Sequence, residues 1–166
     1  MLKMLVADDD RLLRESISQL IDWKKHGIEV CALARSGDEV PSLLRKFCPD
    51  ILLTDIEMPS PNGIALLRVV SEAKLPCKVI FLSAYSKFSY AQDAVRYGAF
   101  GYLLKPVNEE HLIQTVTACR EEILASNKER LALRQCERFQ ADSLENDLKA
   151  LLLAEKSVQA DLPGAC

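Results

Sequence analysis

The sequence predicts an α/β protein built on a doubly wound, five-stranded parallel sheet with helices on both faces. The first 125 residues alternate short apolar runs with longer amphipathic stretches five times over. Most of the apolar runs lack polar alternation, which is typical of strands covered on both faces. Parallel strands joined through helices need crossovers, and right-handed crossovers place helices on both sides of the sheet.

Each element follows from its local pattern. Strands are predicted at the five apolar runs, residues 3–7, 29–34, 50–54, 78–83 and 101–104. Helices are predicted at the five amphipathic stretches, residues 10–23, 36–47, 63–73, 87–97 and 108–125. In the first helix, positions recur at spacings of three and four, namely Leu12, Leu13, Ser16, Ile17, Leu20 and Ile21. Glycine and proline mark the boundaries, as turn chemistry predicts.

The length divides into one domain and an appendage. A chain of 166 residues has room for one ordinary domain but not for two full ones. The alternating pattern covers residues 1–125, which we predict to be that domain. Residues 126–159 are polar and helical in pattern, and predict a helical linker or extension. Residues 160–166 are expected to be an unstructured end.

The extension carries apolar side chains without a continuous coiled-coil pattern. Leu124 and Leu131 lie seven residues apart, but Arg138 occupies the next heptad position. A later stripe consists of Leu144, Leu148, Leu151 and Leu152. The stripe favours a helix that packs on something outside this chain, and a self-dimerising helix is the weaker alternative.

Composition excludes several classes of protein. With 49% hydrophobic and 27% charged residues, the chain can bury a core, which excludes disorder or low complexity as a description of the whole. The net charge of −3 gives no basic surface of the kind that binds phosphate backbones, so the chain alone is expected to be a poor DNA binder.

The sequence also bears on location and redox state. No apolar run approaches the roughly 18 residues that span a bilayer, and the amino-terminal apolar stretch runs into three aspartates, unlike a signal peptide. A cytoplasmic protein without a membrane partner is therefore expected. The six cysteines form no Cys-x-x-Cys pair, and we interpret them as reduced thiols.

Polar residues follow four of the five predicted strands at their carboxyl ends, where an open parallel sheet forms its active crevice. Asp8 and Asp9 follow the first strand, and Asp55 follows the third. Ser83 ends the fourth strand and Lys105 follows the fifth. The sequence therefore predicts one small pocket with three carboxylates, a hydroxyl and an ammonium.

Three carboxylates in one pocket require a cation. Like charges about 4 Å apart repel by about 4 kcal/mol at an effective dielectric near 20. Mg²⁺ fits, because it takes few protein carboxylates, keeps several waters and accepts phosphate oxygens. With a metal present, Asp55 can act as a nucleophile toward phosphorus.

Each residue also has a simpler interpretation when taken alone. Asp10 and its neighbours can cap the first helix, and Asp55 can close an Asx turn. Lys105 can be a surface charge, Ser83 a loop residue that closes its strand, and Tyr102 part of the core. The Lys105–Pro106 peptide bond is left open between cis and trans. The combination of Asp8, Asp9 and Asp55 is what favours a functional site.

These residues at these spacings resemble the receiver domain of two-component response regulators, over residues 1 to about 125. The resemblance implies a flavodoxin-like fold with strand order 2-1-3-4-5. It implies that Asp55 accepts a phosphoryl group, and that Asp9, Asp55 and the backbone carbonyl of Glu57 bind Mg²⁺ directly. It implies that Asp8 acts largely through water.

The resemblance also assigns the remaining pocket residues and the partners. Lys105 matches the lysine that contacts the phosphoryl group, Ser83 the hydroxyl switch residue, and Tyr102 the aromatic switch residue. The implied partner is a sensor histidine kinase, with homodimerisation expected on activation.

Two alternatives remain: a Mg²⁺-dependent aspartyl-phosphate phosphatase or phosphotransferase, and a flavodoxin-like cofactor binder. Against an enzyme, His26 and His111 are expected to lie away from the strand carboxyl ends. Against a cofactor binder, acids follow the first strand where a phosphate loop would lie.

A narrower resemblance concerns residues 82–91 and 102–107, which look like the branch with an AraC-type helix-turn-helix output domain. Pro61 and Asn62 depart from the usual loop pattern, and Asn62-Gly63 is expected to form a turn that tolerates positive backbone dihedrals. No DNA-binding helix pair is readable in residues 127–166. The expectation is a fragment, or a regulator whose transcriptional output domain lies elsewhere.

Overall fold

The sheet has five parallel strands. The computed structural model describes residues 1–84 and 88–160. The strands are β1 (Leu2–Ala7), β2 (Ile28–Ala34), β3 (Ile51–Asp55), β4 (Lys78–Ser83) and β5 (Gly101–Leu104). They pair in the order β2-β1-β3-β4-β5. The predicted doubly wound sheet and its strand order are thereby confirmed.

Helices connect the strands. They are α1 (Arg11–Gln19), α2 (Val40–Phe47), α3 (Gly63–Glu72), α4 (Phe88–Arg96) and α5 (Glu109–Ala160), with a short 3₁₀ turn at Trp23–His26. The predicted first helix therefore ran too far. Trp23 belongs to the 3₁₀ turn and its indole Nε1 donates 2.7 Å to the Ile17 carbonyl, which folds the chain back beneath α1. The predicted second helix began too early, because Pro41 lies at the amino end of α2 and favours a helix start there.

Alternate residues of each central strand build two separate cores. Met4 and Val6 of β1 belong to one cluster, which also contains buried residues of α1 and α5. Leu5 and Ala7 belong to a second cluster, which contains buried residues of α2, α3 and α4. All four side chains are fully buried. Because successive strand residues point to opposite faces, the near-absence of polar alternation reflects a sheet covered on both sides.

The buried face of α1 differs from the predicted stripe. Leu12 and Leu20 are 76% and 77% exposed, whereas Arg14 and Ile17 are buried. Six predicted positions cover a wider arc than one helix face can present to a sheet. The positions that do face the core, with Ile21, are spaced by three and four residues.

The chain divides into two compact units, residues 1–123 and the residues from Leu124 onward. The second unit is helical through Ala160, so this residue ends a helix and does not begin the predicted tail. Residues 161–166, the rest of that tail, lie outside the described residues. Every described side chain from Leu124 to Leu153 is exposed, including the stripe Leu144, Leu148, Leu151 and Leu152.

The helices and the cysteines bear on membrane insertion and on disulfide bonding. Within residues 1–84 and 88–160, no helix is both long and apolar enough to cross a membrane. Five of the six cysteines lie in this part of the chain, and all five are free thiols.

Candidate functional site

The carboxyl end of β1 supplies the first two acids. Asp8 is fully buried, and its backbone N–H donates 3.2 Å to the Ala34 carbonyl of the neighbouring strand. Its carboxylate accepts the N–H of Asp10 at 2.8 Å. Asp10 caps α1, accepting the N–H groups of the second and third helical residues. Asp10 is thus a helix cap, while Asp9 between them is exposed.

Asp55 ends β3 in the middle of the sheet edge. It is only 6% exposed, and one of its oxygens, Oδ1, accepts the backbone N–H of Glu57 at 3.1 Å. The following residue, Ile56, donates its N–H to the Leu82 carbonyl of β4 at 3.1 Å. The strand ladder and the loop therefore fix the Asp55 carboxylate from both sides.

Lys105 joins two of the acids. Its Nζ lies 2.8 Å from Asp8 Oδ2 and 2.9 Å from Asp55 Oδ2. Its backbone N–H donates 2.8 Å to the Ser83 carbonyl, so the pairing of β5 with β4 continues up to the lysine. The Lys105–Pro106 peptide bond, left open by the sequence, is cis. The three residues come from strands that are far apart in the sequence, and the sheet brings them together.

Burial and pairing act in opposite directions on the charged groups. Burial raises the pKa of Asp8 above its ordinary value, although the hydrogen bond from Lys105 and the N–H of Asp10 act to lower it. For Lys105, burial disfavours the charged form, but the bonds to Asp8 and Asp55 outweigh it and the pKa is raised. Lys105 therefore remains a cation at neutral pH.

The acidic cluster has the composition of a site for a hard divalent cation. Asp8, Asp9 and Asp55 each offer an oxygen, and the three oxygens lie within 4.8 Å of one another. Two of these acids are buried and share Lys105, while the exposed Asp9 leaves the cluster open to solvent. Three carboxylates with one ammonium leave an excess of negative charge. The donor set therefore fits Mg²⁺, which prefers oxygen ligands.

The two predicted switch residues lie on neighbouring strands. Ser83 is fully buried at the end of β4, one residue beyond the partner of Asp55 in the β3–β4 ladder. Tyr102 on β5 is paired with Phe81 and packs, half-buried, against the core that includes α4. Both positions are compatible with a switch, and their roles remain predictions.

The loop after β3 differs in detail from the prediction. Asn62 does not form a turn with positive dihedrals: its φ is −74°, and its side chain caps α3 by accepting the N–H of Ala65 at 2.9 Å. Gly63 is needed for a different reason, since a Cβ there would lie 2.4 Å from the Asp55 carbonyl oxygen. The loop thus passes directly against the backbone of Asp55. The Ser60–Pro61 bond within it is cis.

The sequence missed three features near the site. Arg14 is buried, and its Nη1 donates 2.5 Å to the Asp8 carbonyl oxygen. A Cβ on Gly37 would lie 1.7 Å from the Pro61 carbonyl oxygen, so the loops after β2 and β3 touch. The Tyr90 hydroxyl of α4 donates to Glu57 Oε1 at 3.4 Å. Only Arg14 left a signal, because it shares the spacing of the buried face of α1.

The two histidines lie next to different strands, His26 before β2 and His111 after β5. His26 precedes β2, at the amino edge of the sheet, as expected. His111 lies in the first turn of α5, directly after β5, so it is at the carboxyl edge and that expectation was wrong. Its side chain is exposed, and its N–H donates to Asn108 at 3.0 Å. In the motif at residues 82–91, residues 85–87 lie outside the described residues.

Comparison with known proteins decides which family has this site. The sequence model of the response regulator receiver domain matches residues 4–117. This chain belongs to that family. The receiver domain of AraT, a response regulator from Geobacillus stearothermophilus, is 38% identical, with a TM-score of 0.68 over 76% of this chain and 98% of that one.

The curated relatives of this receiver domain are longer proteins. Transcriptional regulatory protein HptR of Staphylococcus aureus is 38% identical over 112 residues, which is 68% of this chain and 44% of HptR. The uncharacterized transcriptional regulatory protein YesN of Bacillus subtilis is 35% identical over 128 residues, 77% of this chain and 34% of YesN. The chain thus spans between a third and a half of the length of these relatives.

Proposed function

We propose that this receiver domain is a phosphoacceptor switch in which Asp55 receives a phosphoryl group from a sensor histidine kinase. The observation that carries the proposal is the pair of bonds from Lys105 Nζ to Asp8 and Asp55, beside the exposed carboxylate of Asp9. A nearly buried aspartate, oriented by a lysine and by the N–H of Glu57, is a positioned nucleophile.

In the transfer, a carboxylate oxygen of Asp55 forms the new O–P bond while the P–N bond of the donor phosphohistidine breaks. The imidazole nitrogen leaves with the bonding electron pair. Asp9, Asp55 and the backbone carbonyl of Glu57 would bind Mg²⁺ directly, and Asp8 would act largely through water. The ion would supply charge neutralisation for the phosphoryl oxygens. Lys105 adds a second cation and is already in place before the donor arrives.

Phosphorylation would change the bonds around Asp55. The new group brings charge and acceptor oxygens to the carboxyl end of β3, and Ser83 lies one residue beyond the strand partner of Asp55. We propose that the Ser83 hydroxyl turns to bond a phosphoryl oxygen, and that Tyr102 follows into the space beside β5. The surface of α4, β5 and α5 would then differ between the two states and provide the face for dimerisation.

The output is proposed from the relatives. HptR and YesN are named as transcriptional regulators and are more than twice as long as the matched segment. We propose that this receiver controls transcription through a DNA-binding domain of the AraC type outside the present chain. DNA contact would come from that domain, since the chain described here carries a net charge of −3.

The test of phosphoacceptance uses acetyl phosphate and intact-mass analysis of the 166-residue chain. We expect one added phosphoryl group with Mg²⁺, none with EDTA, and none in Asp55→Asn. Asp22→Asn is the matched control, because Asp22 is an exposed acid paired only with nearby Lys25 in the described ion pairs. Labelling of Asp55→Asn at the wild-type level would refute the assignment.

The switch is tested with beryllofluoride and Mg²⁺, which imitate the bound phosphoryl group. We expect altered hydrogen exchange in α4 and β5 and an increase in dimer by sedimentation. Exchange that stays unchanged in both elements, with beryllofluoride bound at Asp55, would refute signalling through this face while leaving phosphoacceptance intact.

A further inference from the structure

Arg14 is a buried charge that the proposed phosphotransfer does not use. Its residue is only 7% exposed, on the face of α1 that packs against the sheet. Charged side chains are seldom buried unless they make specific bonds. Nη1 of Arg14 donates 2.5 Å to the carbonyl oxygen of Asp8. The partner is therefore a backbone atom in the acidic cluster and not one of its carboxylates.

The carbonyl that Arg14 binds is part of the link between Asp8 and Asp9. The Asp8 C=O and the Asp9 N–H belong to one planar peptide unit, so a bond to the oxygen fixes the plane of the whole unit. That plane fixes where the Asp9 Cα lies, and with it the point from which the Asp9 side chain leaves the backbone. Asp9 is the exposed acid of the cluster and must direct its carboxylate toward Asp8 and Asp55.

The other two acids are oriented through their own carboxylates. Asp8 accepts from Lys105 and from the Asp10 N–H, and Asp55 accepts from Lys105 and from the Glu57 N–H. For Asp9, the relevant hydrogen bond is the one from Arg14 of α1 to the Asp8 carbonyl, which belongs to the peptide unit that carries the Asp9 N–H. A guanidinium suits this role, since it stays charged and presents several donors in a rigid plane.

We infer that Arg14 is a positioning residue that orients Asp9 for binding the divalent cation. The inference rests on the proposed function, because it assumes that the acidic cluster binds Mg²⁺. If Arg14 acted only through its charge, its replacement would change the metal affinity in the opposite direction. A cation near three carboxylates weakens binding of a second cation, so its removal would strengthen metal binding. Orientation predicts weaker binding when Arg14 is replaced.

The experiment measures Mn²⁺ affinity by electron paramagnetic resonance for the full chain and its variants. Arg14→Lys keeps the charge and loses the planar donor group, while Arg14→Met loses both. Arg11→Met is the matched control, since Arg11 lies on the same helix but is exposed and bonds Glu15. Circular dichroism and the fluorescence of the single tryptophan, which bonds the α1 backbone, report folding independently.

We expect both Arg14 variants to bind Mn²⁺ about 10 to 100 times more weakly, as for other residues that orient metal ligands, and Arg11→Met to bind as wild type. The Mg²⁺ concentration for half-maximal acetyl phosphate labelling should rise by the same factor. Unchanged or tighter binding by folded Arg14→Lys would overturn the inference, and that variant decides if Arg14→Met does not fold. Absence of Mn²⁺ binding by the wild type would instead refute the metal site of the proposed function.

Discussion

Removal of the Lys105 ammonium is the most direct perturbation of the site. Lys105→Met keeps most of the length of the side chain but leaves Asp8 and Asp55 without the cation that both contact, at 2.8 and 2.9 Å. Asp8 is fully buried, so water cannot replace the lost charge. We expect Lys105→Met to destabilise the metal-free protein, and Mg²⁺ to restore part of the loss by supplying a new cation.

The size of the effect follows from burial and distance. Carboxylates about 5 Å apart repel by about 3 kcal/mol at an effective dielectric near 20, and Lys105 offsets this repulsion. Removing one partner of a buried pair typically costs 3–5 kcal/mol, and the Lys105 side chain is 18% exposed. We therefore expect a loss of about 3 kcal/mol in the free energy of unfolding, near the lower end of that range.

Urea unfolding followed by the fluorescence of Trp23 measures this free energy. The titrations are run in EDTA and in Mg²⁺ at pH 7.5, and again in EDTA over a series of lower pH values. Because the pKa of Asp8 is raised by burial, the deficit should shrink as the pH falls. Lys78→Met is the control: Lys78 pairs with Glu122 at 2.6 Å, but the side chains are 39% and 49% exposed, so about 0–1 kcal/mol is expected. A loss in EDTA no larger than that of Lys78→Met, or a deficit that grows in Mg²⁺, would refute the reasoning.

Three further outcomes are expected. Burial raises the pKa of Asp8 in the folded protein. The contribution of Asp8 to the free energy of unfolding is therefore fully present below its unfolded pKa of about 4 and is lost as the pH rises through the folded pKa. In EDTA, the wild type should lose stability relative to Asp8→Asn as the pH rises, and a relative gain would contradict this. Gly63→Ala should lower the free energy of unfolding by about 1–3 kcal/mol, because its Cβ would meet a carbonyl oxygen at 2.4 Å; chemical denaturation measures it, and no change would show that the loop yields freely. Burial raises the pKa of the Cys77 and Cys119 thiols to about 12, so iodoacetamide at pH 8 should modify the exposed Cys48 and Cys136 before these two in a mass-spectrometric time course, and equal rates would contradict this.

Local pattern alone determined the strands, the pocket residues and the cap at Asp10. Runs without polar alternation predicted buried parallel strands, and strand ends predicted which side chains meet at one edge. These inferences succeeded because strand period, turn residues and connection rules act over a few residues. The same locality explains the errors at the ends of the first two helices, where Trp23 and Pro41 set boundaries that periodicity does not reveal.

Tertiary structure decided what depends on contacts between distant segments. The sequence placed Lys105 near the acids, but only the folded sheet gives it two bonds, one to Asp8 and one to Asp55. It expected a turn at Asn62-Gly63, whereas the close approach of that loop to β3 determines why glycine is needed there. Arg14 matched the spacing of a buried face without indicating what it binds. The spacing of residues along the chain predicts which face of a helix or strand they occupy. The distances between elements arise from packing, so the bonds of the site form only when the sheet and helices are assembled.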